Sequence, residues 1–145
     1  MKLQKATMFG LYAVLELARD PDRQLSATDI ADIYGISNHH LAKVLRDLGR
    51  AGLLDSVRGV GGGYRFSANA RRTTLMDVIS IFEDISSDQT NGREEGEGTD
   101  IGQALQLVLG EIDDIAKATF SSITIDTLLK TMRWRESADD PTEAV

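Results

Sequence analysis

Cysteine is absent from this 145-residue sequence, which excludes disulfides, thiolate catalysis and any metal or iron–sulfur site held by thiolates. Only two histidines are available as imidazole ligands. No apolar run approaches the roughly 18 residues of a membrane-spanning helix, and the first residues lack the apolar core of a signal peptide. We therefore expect a cytoplasmic protein without a membrane segment.

Basic residues are also scarce, with 16 Lys and Arg against 23 Asp and Glu, and the net charge of -7 alone argues against a polyanionic partner. The charge is unevenly distributed, however. Residues 1–75 contain 11 basic and 7 acidic residues (net +4), whereas residues 76–145 contain 5 and 16 (net -11). Such asymmetry between halves is typical of proteins that bind nucleic acid or membranes.

The first half predicts two short helices with a tight corner between them, preceded by an amphipathic helix over residues 5–19. Ser26 is suited to cap the second helix, and Gly35 ends it. Ser37 is suited to cap a third helix that begins at Asn38. Two helices joined by a three-residue turn that contains glycine are typical of a helix-turn-helix, although other helical proteins have the same corner.

The third helix has an apolar face and an opposite basic face. At about 100° per residue, four apolar side chains point in one direction: Leu41, Val44, Leu45 and Leu48. Four other side chains, none of them acidic, point the opposite way: His39, Lys43, Arg46 and Arg50. A solvated face usually mixes both signs of charge, so this basic stripe favours contact with DNA.

A glycine-rich hairpin follows the third helix. Leu53–Val57 and Tyr64–Phe66 predict two short strands, and the loop between them has four glycines in five residues after Arg58. A nucleotide-binding loop would need glycine in place of Tyr64, or a Gly-Lys-Ser/Thr run, with a helix directly after it. A flexible wing beside a recognition helix, with Arg58 in the minor groove, accounts for both the glycines and the arginine.

The second half predicts a fourth helix over residues 75–84 and a long helix from Asp100 to about Ser121. Between them, residues 86–100 contain no apolar side chain. The long helix has apolar residues at a spacing of 3.5: Ile101, Leu105, Val108, Ile112 and Ile115. This seam either completes the core of the monomer or pairs two chains, and we favour a dimer because palindromic DNA sites are commonly bound by two-fold dimers.

From Ala6 to about Met132 the sequence resembles the Rrf2 family of IscR- and NsrR-like bacterial winged-helix transcription regulators. Five stretches carry the resemblance: Gly10–Leu15, Ile30–Ser37, Leu41–Leu53, Ile125–Leu129 and, most specifically, the wing run Ser56–Arg65. The resemblance implies a homodimer that binds double-stranded DNA at a partly palindromic promoter site, with long helices that cross between subunits. It also implies DNA contacts from the wing arginine and from the start of the recognition helix: Arg58, Ser37, Asn38, His39, His40 and Lys43. We also expect Gly61, Tyr64 and Arg65 of the wing to belong to the DNA-binding surface.

The sequence departs from the family's cluster-binding members at one place. Those members hold an iron–sulfur cluster with three cysteines between the fourth helix and the long helix, where this chain has Asp88–Thr99. Met8 stands where some nitric-oxide sensors supply a carboxylate ligand. We therefore expect no cluster, no metal and no other cofactor, and we find no nucleophile–base pair that would indicate an enzyme.

The sequence thus predicts a mainly α protein with a small β-hairpin wing, a winged helix-turn-helix followed by a long C-terminal dimerisation helix. Its expected parts are the DNA-binding domain (1–84), a flexible acidic loop (85–100), dimerisation helices (101–134) and a disordered tail (135–145). A repressor is favoured because operator occlusion requires no further contact. One alternative stays open: a protein-interaction module whose acidic half docks a metabolic enzyme. The signal is also open, and one candidate is a small effector bound between the DNA-binding unit and the long helix, near residues 86–100.

Overall fold

The computed structural model describes residues 1–85 and 95–139. Their elements, in chain order, are α1 (Lys5–Ala18), α2 (Ala27–Tyr34), α3 (Asn38–Arg50), β1 (Leu54–Val57), β2 (Gly63–Phe66), α4 (Leu75–Phe82), α5 (Asp100–Ser122) and α6 (Ile125–Asp139). The strands pair antiparallel, with Leu54 opposite Phe66 and Val57 opposite Gly63. This arrangement confirms the mainly α fold with a β-hairpin. No described helix is long and apolar enough to cross a membrane.

Helix α1 lies at the centre of the core and contacts α2, α3, α4, α6 and β2. Side chains from all four of the first helices are fully buried against one another, among them Val14, Leu17, Ile30, Leu45 and Ile79. Each such side chain stabilises the fold by about 1.5 to 3 kcal/mol relative to an exposed position. The core therefore fixes the position of α3 relative to the other helices.

Side-chain caps define where the helices begin. Ser26 Oγ accepts the Asp29 N–H at 3.0 Å, and the Asp29 carboxylate accepts the Ser26 N–H at 3.0 Å, which forms a capping box. Thr74 and Asp77 form the same arrangement at α4. Helix α2 ends at Gly35, whose φ of 65° lies in the left-handed region. A cap of this kind contributes about 1 kcal/mol, so the helix-turn-helix corner is encoded locally.

Helix α5 differs from the others because none of its residues is buried. Among the described elements it packs mainly along α4. The chain then returns to the core through Ile125, which is fully buried. Backbone hydrogen bonds fix this return: Leu75 N–H donates to Ile123 O and Ile125 N–H donates to Thr73 O, both at 2.9 Å.

The predicted C-terminal boundary is wrong for residues 135–139, because α6 continues through Asp139 instead of giving way to a disordered tail. The sequence has no glycine or proline between Trp134 and Pro141, and the intervening residues do not interrupt a helix once it has formed. Residues 95–99 form a turn, and Thr99 caps α5. Most of the predicted flexible loop (86–94) and the end of the tail (140–145) lie outside the described residues.

Candidate nucleic-acid interface

Helix α3 presents the two faces that its sequence predicts. All four residues of the apolar face, Leu41, Val44, Leu45 and Leu48, are buried. On the opposite face, four side chains are exposed: His39, Lys43, Arg46 and Arg50. The three cations among them, Lys43, Arg46 and Arg50, form no ion pair with any described residue. The stripe is therefore an uncompensated positive surface on a rigid helix.

The first turn of α3 divides the predicted contact residues into two groups. Ser37 Oγ accepts the His40 N–H at 3.2 Å, so this hydroxyl serves as the helix cap. The His40 ring packs edge-on against the Phe9 ring of α1, with centroids 5.1 Å apart. Asn38 and His39 are exposed and have no such intramolecular role in the described part of the chain. Both side chains stay available to a base edge.

The wing is held against the body of the protein by its backbone. Leu25 and Tyr64 exchange two backbone hydrogen bonds, of 3.0 and 2.7 Å, which add a third short segment beside the β1–β2 hairpin. Glycine is required at two positions of this arrangement. A Cβ on Gly63 would overlap the Leu25 carbonyl, and a Cβ on Gly62 would overlap the Val57 carbonyl. These close approaches explain the glycine run in structural terms.

Four residues of the wing loop and strands occupy distinct environments. Arg58 directly follows β1, is exposed, and makes no ion pair within the described residues. Gly61 has a φ of 76°, a conformation that side chains rarely adopt. Arg65 is exposed and lies 3.6 Å from Asp55, its cross-strand neighbour. Tyr64 is half-buried and packs against the core, which makes it a support at the base of the wing.

A buried carboxylate behind the helix-turn-helix escaped sequence reasoning. Glu16 of α1 is only 6% exposed, and it accepts hydrogen bonds from Tyr34 Oη at 2.7 Å and from Arg23 at 2.9 Å. Burial raises its pKa, but these hydrogen bonds and the charge of Arg19, 3.8 Å away, lower it by more. Burial and the adjacent carboxylate raise the pKa of Tyr34 to about 12, so Tyr34 remains a proton donor. The available signal was a lone glutamate within an apolar stripe.

A second contact also joins distant parts of the chain to α1. The Glu83 carboxylate, just after α4, accepts the Thr7 hydroxyl at 2.5 Å and the Gln4 N–H at 2.8 Å. Close by, the Phe82 ring lies so near Gly10 that a Cβ there would overlap it. Helix α1 is thereby anchored to α4 at one end and to the helix-turn-helix corner at the other.

Known proteins similar to this chain show which family has this helix-turn-helix corner, basic helix and wing. A model of the Rrf2 family, described as iron-dependent transcriptional regulators, matches residues 3–131. The chain belongs to the Rrf2 family. The HTH-type transcriptional regulator BadM of Rhodopseudomonas palustris is 56% identical over 130 residues, which cover 90% of this chain and 82% of that protein. The family match and the similarity to BadM show that the chain is a DNA-binding transcriptional regulator and not an enzyme.

Solved structures of Rrf2 regulators share the fold. The global cysteine regulator CymR of B. subtilis matches with a TM-score of 0.74 and 28% identity, covering 90% of this chain and 98% of that one. IscR of T. potens matches with a TM-score of 0.74 and 25% identity, covering 97% and 92%. The winged-helix architecture predicted from the sequence is confirmed by both likenesses.

The iron in the family's description does not fit the donor set of this chain. A thiolate-held iron–sulfur cluster needs cysteines, and the full sequence has none. In the part of the chain that the structure describes, no three His, Asp or Glu side chains converge as metal ligands. His39 and His40 are adjacent on a helix and point about 100° apart, so they do not form a pair of ligands.

Proposed function

We propose that the chain is a homodimeric repressor that binds a partly palindromic promoter site and acts without a cysteine-ligated cluster. The observation that carries the proposal is the combination of a basic face on α3 with Arg58 at the wing, whose cations have no ion-pair partner among the described residues. A recognition helix and a wing on one chain contact one half-site, and two chains are needed for a palindrome. Repression is the simplest consequence, because occupancy alone blocks a promoter. As a regulator of transcription, the protein is expected to act in the cytoplasm.

Each predicted contact residue has a role in this proposal. Asn38 and His39 contact base edges, and Arg58 enters the minor groove. Phosphates of the DNA backbone are contacted by Arg65 and by the three cations of the α3 stripe, Lys43, Arg46 and Arg50. Ser37, His40, Gly61 and Tyr64 set the geometry of the helix end and of the wing.

The dimer proposal depends on the apolar seam of α5. Its five residues are 53–76% exposed in the single chain: Ile101, Leu105, Val108, Ile112 and Ile115. This exposure argues against a seam that completes the monomer's own core. If each side chain loses about 100 Å² on pairing, two copies bury on the order of 1,000 Å² of apolar surface, which is enough for a biological interface. A homodimer through α5 covers the seam.

The test is selection of bound duplexes from a random double-stranded library by the purified protein. We expect a motif with two-fold symmetry whose half-sites lie about one helical turn, 10 base pairs, apart. Retention of the selected duplex should fall steeply with salt, since phosphate contacts release counterions. An asymmetric motif would contradict the proposal that a homodimer binds a palindromic site. Failure to select any motif would instead favour an interaction module for which DNA binding is secondary.

A cellular experiment tests repression. A reporter gene driven by a promoter that contains the selected motif should be expressed more strongly when the regulator's gene is deleted. Lower expression after the deletion would identify an activator.

A further inference from the structure

A cleft of about 470 Å³ lies between the end of α1 and α6, and its lining includes no residue of the α3 stripe or the wing loop. Its apolar lining comes from both elements and includes Ala18, Leu129 and Met132. A second cavity, of about 370 Å³, shares Pro21, Ala70 and Asp126 with the first. Volumes of this size are typical of sites for small organic ligands.

The charges around the cleft favour an anionic ligand. Arg19 and Arg133 line the first cavity and Arg71 lines the second. Arg133 and Arg71 make no ion pair with a described residue. Arg19 lies 3.8 Å from Glu16, a carboxylate that Arg23 and Tyr34 already engage at shorter distances. Arg71 and Arg133 thus lack a direct ion-pair partner among the described residues, and the only such contact of Arg19 there is the long one to Glu16.

Two carboxylates also line the cleft, and they do not cancel this excess. Asp126 is paired with Lys130 at 2.9 Å. The hydrogen bond from Lys130, together with the charges of Lys130, Arg71 and Arg133, lowers the pKa of Asp126, which indicates a positive potential at this point. Glu136 remains as the single carboxylate without an ion-pair partner in the described part of the cleft lining. This local cation excess is unusual because residues 76–145 carry a net charge of -11.

We propose that this cleft binds a small carboxylate with an apolar body, and that its occupancy changes the affinity of the helix-turn-helix for DNA. The carboxylate is held by Arg133 and Arg19, since guanidinium groups bind carboxylates through paired N–H donors. The apolar body packs on Leu129 and Met132.

The route to the DNA-binding surface is a short chain of polar contacts. Arg19 borders the cleft and also faces Glu16. Glu16 accepts the hydroxyl of Tyr34, which is the last residue of α2 and directly precedes the turn before α3. A ligand carboxylate that attracts Arg19 removes Arg19 from Glu16. The interaction of Glu16 with Tyr34, which supports the helix-turn-helix corner, changes as a result. This coupling rests on the proposed function, whereas ligand binding does not.

Sodium octanoate is the probe for binding, titrated calorimetrically into the DNA-free protein. We expect saturable binding at one site per chain, with acetate and octylammonium much weaker because each lacks one half of the recognised chemistry. Replacing Arg133 with Gln should weaken octanoate at least about tenfold, the typical effect of losing a charge-assisted hydrogen bond. The matched control is Arg135→Gln, two residues further along the same helix and outside the cleft lining.

The single tryptophan, Trp134, is next to Arg133 in the sequence, so its fluorescence is recorded as a second readout in the same titration. No saturable octanoate binding, or equal binding by the Arg133→Gln variant, would overturn the proposed site. Octylammonium binding as tight as octanoate would overturn the assigned charge. Thermal melts of both variants check that they are folded. We expect both to fold because Arg133 and Arg135 are exposed.

The coupling is tested with the duplex obtained by selection. Saturating octanoate should change the DNA affinity of the wild type several-fold. The Tyr34→Phe variant keeps the aromatic stack on Tyr12, whose ring lies 4.9 Å away, but loses the hydroxyl that contacts Glu16. This variant should bind octanoate as the wild type does, but octanoate should change its DNA affinity much less than it changes that of the wild type. Octanoate binding with no effect on wild-type DNA affinity would overturn the coupling, and absence of any selected duplex is a failure of the proposed function alone.

Discussion

Arg58 stands alone at the start of the wing loop, exposed and without an ion-pair partner among the described residues. Replacing it with Ala should weaken binding to the selected duplex by about 1 to 3 kcal/mol, because a minor-groove guanidinium contact is lost. Fluorescence anisotropy at fixed salt measures the change. The control is Arg135→Ala, on α6, which should bind as the wild type does. An Arg58→Ala variant with unchanged affinity would refute a wing contact.

Glu16 gives a second prediction at the scale of a single residue. Because its pKa in the folded protein is below the ordinary value of 4.5, the ionised form stabilises the fold above that pH. The stabilisation is lost as the pH falls from about 4.5 through the lowered pKa. The Glu16→Gln variant should therefore be less stable by about 1 to 3 kcal/mol near neutral pH.

Thermal or urea unfolding between about pH 3 and 7 measures the difference between the Glu16→Gln variant and the wild type. The difference should narrow as the pH falls below about 4.5. A constant difference across this range would mean that the charge of Glu16 is not what stabilises the fold.

Some residue roles follow from sequence and others require tertiary contacts. Helical periodicity alone placed Leu41 and Leu45 in the core, and the structure confirms them. The roles of Glu16 and His40 depend on partners 18 and 31 positions away, Tyr34 and Phe9. No local pattern specifies such partners, so neither the buried cluster around Glu16 nor the contact of His40 with Phe9 could be predicted from the sequence.

At the scale of elements, α5 offers a direct test of pairing. Replacing Ile112 with Glu places a charge in the centre of the seam, where burial without a partner is costly. Sedimentation equilibrium should show a dimer for the wild type and a monomer for this variant. The control is Leu107→Glu: Leu107 is more exposed, at 73%, but lies about 120° from the seam's direction. A dimeric Ile112→Glu variant would place the interface elsewhere.

Element boundaries were predictable where a cap or a breaker is present. Ser26, Gly35 and Ser37 mark helix ends that the structure confirms. The end of α6 was missed because no strong signal precedes Pro141. The pairing of Leu25 with Tyr64 was also missed, since a two-residue backbone contact across 39 positions leaves no periodic trace.

The whole molecule separates its charge between a basic half and an acidic half. The acidic half repels DNA, so we expect the salt dependence of DNA binding to come from a few specific phosphate contacts of the basic half. Replacing Arg46 with Gln should reduce the slope of log affinity against log salt by about 1, the value for one phosphate contact. Arg135→Gln should leave the slope unchanged. Equal slopes for both variants would remove Arg46 from the phosphate contacts.

The exposed seam of α5 has a consequence for how the regulator responds to its own abundance. If the DNA-binding unit is a pair, then at low concentration the number of pairs rises with the square of the number of chains. Halving synthesis then reduces the pairs about fourfold. Gene dosage and turnover would thus set a threshold for promoter occupancy, even without a sensed signal.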